Sequence, residues 1–101
     1  MNSIRNTVRV IAHLTAKAAR IEETRLALIA LISPTRAEDG CIVYELMQNN
    51  ADPTDFTFVE EWTSDAALDA HLQSDHIRTL QSQADELFAA PPDIRRYTLL
   101  G

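Results

Sequence analysis

Cysteine occurs once and glycine twice in this chain of 101 residues. One thiol, Cys41, permits no internal disulfide and gives zinc no thiolate cluster, so a reducing compartment is expected. With only Gly40 and Gly101, no glycine-rich loop can cradle a nucleotide phosphate. Basic residues are also scarce. Nine Lys and Arg against 15 Asp and Glu leave a net charge of −6, which excludes the clustered cations that nucleic acid or an anionic membrane requires. No apolar run approaches the roughly 20 residues that span a bilayer. The N-terminal stretch lacks the apolar segment of a secretory signal, so the expectation is a soluble, cytoplasmic protein.

What is present is globular: 46% of residues are hydrophobic and 24% charged. This length suits a single domain, 1–101 with a core of about 8–99, but leaves a small core that a partner would help to stabilise. "VRVIAHL" alternates Val8, Val10, Ala12 and Leu14 against Arg9, Ile11 and His13, the period of a strand. An amphipathic helix follows, with Ile21, Leu28 and Ile32 on one stripe widened by Leu26, Ile29 and Leu31. It should loosen before Pro34, which lacks the N–H for the carbonyl four residues back, and end by Gly40.

"CIVYELMQ" and "FTFVEEW" read as a hairpin around the turn-forming "NNADPTD". Ser64 and Ser74 cap two helices, running to about Leu72 and Phe88, and "IRRYTLL" is a last strand, Ile94 to Leu100. The order strand, helix, strand, strand, helix, strand predicts an α+β, ferredoxin-like split βαβ sandwich. In the second strand Ile42, Tyr44 and Leu46 are placed on one face and Cys41, Val43 and Met47 on the other, so both faces are apolar. The expected cover for the free face is an identical sheet, making a homodimer.

The polar stretch "EEWTSDAALDAHLQSDH" holds the residues with chemical potential. His71 and His76 are five apart, about 140° around one continuous helix, so spacing argues against a shared metal and none is expected. His76, in the first turn of its helix where the dipole favours a neutral ring, is the expected catalytic base, against a capping role with Ser74. His71, at the opposite end of the shorter helix, where a charged ring is favoured, is expected to orient a substrate oxygen unless it is a surface residue. Phe58 and Trp62 share a strand face with Glu60 between them: core by default, a pocket wall by the sharper reading. A carboxylate there must be paired, hydrated or neutralised: on a covered face Glu60 lines a cavity or binds a partner such as Arg9 or His13, and otherwise Glu61 takes the inner place. The phenol of Tyr44 is a candidate donor to a substrate carbonyl. Arg36 with Glu38, and Arg95 with Arg96, read as surface or interface charges without chemistry.

"VRVIAHLTAK", "PTRAEDGCIVYEL" and "NNADPTDFTFVEEWTSDAALDAHLQSDHI" together resemble the antibiotic biosynthesis monooxygenase domain family, which includes the quinol monooxygenases. The resemblance runs from about Val8 to Leu99 and implies a dimeric α+β barrel. It also implies oxidation of a quinol-like or polyphenolic aromatic by O₂ without flavin, metal or haem. Haem degradation on this scaffold is discounted, because Ala12, His71 and Gln81 stand where that branch is similar to an Asn, Trp, His triad. Two alternatives stay open: a non-catalytic dimer binding a small metabolite, and an isomerase of small sugar-like ketones.

Overall fold

The computed structural model describes residues 7–101. Its order is β1 (Val8–Thr15), a 3-10 turn, α1 (Ile21–Ile29), α2 (Ile32–Arg36), β2 (Cys41–Gln48), β3 (Asp55–Trp62), α3 (Asp65–Leu72), α4 (Asp75–Leu87) and β4 (Asp93–Tyr97). The strands form one antiparallel sheet in the order β2-β3-β1-β4. This is the ferredoxin-like α+β fold that the element order predicts.

Period-two alternation sets the two faces of the sheet. Val10, Ala12 and Leu14 of β1 and Phe56, Phe58, Glu60 and Trp62 of β3 turn toward the helices and are buried. The opposite face carries Arg9, Ile11, Thr57, Val59 and Glu61, all partly exposed. In β2 the alternation slips. A bulge between Cys41 and Val43 pairs Cys41 with Trp62 and Tyr44 with Glu60. Cys41 therefore shares the helix side with Tyr44, and Ile42 is left 49% exposed. One extra residue in a strand reverses every side chain before it, which a strict alternation cannot foresee.

The long first helix breaks at Ala30 and Leu31, four residues before Pro34, where the carbonyl that proline cannot serve belongs to Ala30. Leu28 and Leu31 are buried, whereas Leu26 and Ile29, expected on the inner stripe, are exposed. β4 ends at Tyr97 and not at Leu100, and all five of its residues are exposed. Arg96 nonetheless fastens it to α3 through Asp65 at 2.8 Å and Asp69 at 2.7 Å. Arg95 bonds Asp93 on its own strand, so the two arginines do not act as a pair.

Ser64 accepts from the Ala67 amide and Ser74 from the Ile77 amide, so both helix starts fall where the sequence places them. Between them Gln73 leaves helical geometry and the chain turns into α4. This turn directs His71 and His76.

Candidate active site

Beneath α3 and α4, against the helix side of the sheet, lies a cavity of about 90 Å³. Tyr44, Phe58, Glu60 and His71 border it, with Ile77 and Leu80 above and Pro92 and Ile94 at one side. An apolar cavity of 150 Å³ holds one benzene, so the space as it stands is too small for a fused ring, and even a single ring needs the walls to give. Leu31 and Leu80 also border a groove of about 550 Å³ between α1 and α4. They form the wall between cavity and groove.

Glu60 is the inward carboxylate. It is 5% exposed and accepts from the Trp62 indole N–H at 2.9 Å. Arg9 and His13 are not its partners: Arg9 pairs with Glu61, and His13 lies 3.0 Å from Thr57 and 3.6 Å from Asp55. Burial pushes the Glu60 carboxyl up to about 7, against the indole bond that favours its ionised form, with the charge of Glu38 adding to the rise. A group that holds and releases a proton near neutrality therefore faces the cavity. Burial and the Glu60 charge likewise push the Tyr44 phenol upward, so it is a neutral donor. The Tyr44 ring stacks on Phe58 at 4.6 Å between centroids.

His71 is buried between Tyr44 and Trp62, with ring centroids at 5.5 and 4.7 Å. Burial lowers its proton affinity, against the Glu38 hydrogen bond and charge that raise it and with the nearby His76 adding to the fall. Desolvation thus outweighs the helix-end effect expected from sequence. Trp62 is buried as expected but lies behind Glu60 and His71, outside the cavity lining. His76 does not border the cavity either. It stands on the groove wall, because the turn at Gln73 sends α4 off in a new direction.

What connects the two histidines is Glu38, in the turn before β2. One of its oxygens, Oε2, is 2.7 Å from His71 Nδ1 and 2.8 Å from His76 Nε2. The rings lie 5.9 Å apart. Spacing along a single helix therefore misjudged these residues: the break between α3 and α4 brings both rings to one carboxylate. Glu38, expected to be a surface or interface charge beside Arg36, is drawn inward, and Arg36 instead donates two bonds to the Tyr44 carbonyl, at 3.1 and 2.8 Å. A short acidic turn more than 30 residues from either histidine carries no local signal of this meeting.

Residues 7–83 match the antibiotic biosynthesis monooxygenase family. The chain belongs to that family. Rv0793 of Mycobacterium tuberculosis, which carries a provisional monooxygenase name, is 38% identical over 84 residues, covering 83% of this chain and 82% of its own. Its solved structure superposes with a TM-score of 0.87 at 33% identity, over 94% of this chain and 96% of that one. PA3566 from Pseudomonas aeruginosa superposes with a TM-score of 0.91 at 31% identity, over 97% and 98% of the two chains. An uncharacterised Synechocystis protein, sll1783, is 30% identical over 89% of this chain, which spans 61% of that relative's length. Membership of the family fixes the fold; the residues in the cavity carry the reading of chemistry.

Proposed function

We propose that this protein is a monooxygenase that oxidises a small phenolic or quinol-like aromatic with O₂, without a cofactor, in the cavity under α3 and α4. The single observation that carries this reading is Glu60, a buried carboxylate poised near neutrality among Tyr44, Phe58 and His71. Glu60 takes the phenolic proton, and the apolar walls leave an electron-rich anion poorly solvated. That anion passes an electron to O₂, and the two radicals join in a carbon–oxygen bond. Loss of water from the peroxide then yields the quinone. One oxygen atom enters the ring, the other leaves as water, and all four electrons come from the substrate. Tyr44 and His71 are placed to hold the substrate oxygens, and Phe58 supplies a ring to stack upon. The part expected of His76 becomes indirect, exerted through Glu38 on His71.

The catalytic unit in this reading is a homodimer. Ile11, Val43, Val59, Met47 and Tyr97 lie on the sheet face that no helix covers, and Met47 and Tyr97 are about half exposed. Sedimentation at micromolar concentration should give twice the chain mass, and Val59→Asp should give a monomer. A monomeric parent would remove the dimer.

The small volume of the cavity favours one other reading, a non-catalytic binder of a compact metabolite. Incubation with a panel of one-ring and two-ring phenols under ¹⁸O₂ separates the two. Oxygenase action incorporates one labelled atom per quinone formed. No oxygen uptake with any phenol, together with a small molecule retained in native mass spectrometry, would establish the binder instead.

A further inference from the structure

Glu38, His71 and His76 come from three separate elements, the turn after α2, the last turn of α3 and the first turn of α4. Their donor atoms nevertheless all lie within 4.8 Å of one another. Two imidazoles and a carboxylate are a donor set for zinc and its neighbours, with a further position left to solvent. We propose that these three residues bind one divalent transition ion of the Zn²⁺ class, and that the ion reverses the tautomer of the histidine facing the cavity.

The geometry supports each part. The His71 ring is fixed in direction by its packing against Trp62 and Tyr44, so Nδ1 stays aimed at the cluster. His76 stands on the groove wall, which opens a route from solvent. The side chains of Glu38 and His76 are 19% and 21% exposed against 3% for His71, which makes these two the members able to move around a fixed His71. Zinc needs ligand distances of about 2.0–2.2 Å. The carboxylate that now links the two rings must therefore swing aside and coordinate from the flank. The hydroxyl of Ser74, 3.2 Å from His76 Nε2, would give up that contact.

The consequence for the cavity follows from imidazole chemistry. While Glu38 accepts a hydrogen bond from His71, the proton sits on Nδ1 and Nε2 is bare, an acceptor toward a bound molecule. An ion on Nδ1 takes that lone pair. Neutral imidazole then carries its proton on Nε2, which becomes a donor. The ion thus occupies none of the substrate space yet changes what the substrate meets. Its effect on turnover rests on the oxygenase reading above, whereas its binding does not.

The full-length chain, stripped with chelator, should be titrated with Co²⁺ by visible absorption and with Zn²⁺ by calorimetry. One ion per chain and a ligand-field band of a low-coordinate Co²⁺ site are expected. His76→Ala and Glu38→Gln, checked for folding by circular dichroism, should each weaken binding by at least about 100-fold, more than loss of an outer-shell partner. His13→Ala, on the opposite sheet face, should leave it unchanged. In ¹⁵N spectra, Zn²⁺ should move His71 Nε2 from the unprotonated to the protonated range. Absence of binding at millimolar ion, binding that survives both substitutions, or an Nε2 that stays bare would each overturn the proposal. Binding in a protein that consumes no oxygen would uphold the ion site and overturn only the oxygenase.

Discussion

The indole of Trp62 donates to Glu60, two positions earlier on the same strand face, at 2.9 Å. That bond acts against burial, holding the Glu60 carboxyl lower than its surroundings alone would. Trp62→Phe should therefore raise the proton affinity of Glu60 and move the rising limb of the pH–rate profile to higher pH. The lost ring should also cost about 1–3 kcal/mol of stability. An unchanged profile would separate Glu60 from the rate-determining proton transfer.

Glu60→Gln keeps an acceptor for the indole and removes the charge. Activity should fall by about 10²- to 10⁴-fold, the usual worth of a positioned base. Stability should respond in the opposite sense. The folded state holds this proton up to about 7 against an ordinary value of 4.5, so the contribution of Glu60 is complete below 4.5 and is lost as pH rises through 7. The variant should gain on the parent across that window, by up to about 3 kcal/mol, and show a constant advantage above it. Urea titrations at pH 4, 6 and 8 measure the trend.

Leu80 is 8% exposed and stands between the cavity and the groove. Leu80→Ala should join the two spaces at a cost of about 2–5 kcal/mol. Two-ring phenols should then gain in kcat/KM relative to one-ring phenols. A loss of stability with no change in that ratio would place substrate entry elsewhere.

Gly40 adopts φ +87°, and a Cβ there would lie 2.6 Å from both Ala67 Cβ and Thr63 Oγ1. Gly40→Ala should destabilise by about 2–4 kcal/mol, combining backbone strain with a contact that must yield. Because Glu38 sits two residues earlier, chemical shifts of both His71 and His76 should move as well.

Much of this molecule is written locally. The strand period in "VRVIAHL", the caps at Ser64 and Ser74 and the proline at 34 each act through neighbours within about four residues, and each element formed where those rules put it. Local rules run out where distance or a single extra residue decides. The choice between Glu60 and Glu61, open in the sequence, depends on how β3 pairs with β1, and Glu38 reaches the histidines only after the sheet and both helices have closed. Leu26 and Ile29 look interior on a helical wheel, yet Leu26 opens onto the groove beside α4 and Ile29 onto a hollow lined by Leu46 and Phe56, and both stay exposed.

The bulge near the start of β2 has a further meaning for how this protein can vary. From Val43 onward the strand is in step with its neighbour, so the phenol of Tyr44 enters the interior and Val43 the far side. Deleting Ile42 would make the ladder regular, with Cys41 opposite Trp62, Val43 opposite Glu61 and Tyr44 opposite Glu60, so Cys41 and Tyr44 would both keep the helix side. The bulge is consequently an insertion that the strand can lose without exchanging an interior side chain, whereas a residue lost after Val43 would carry the rest of the strand to the wrong face.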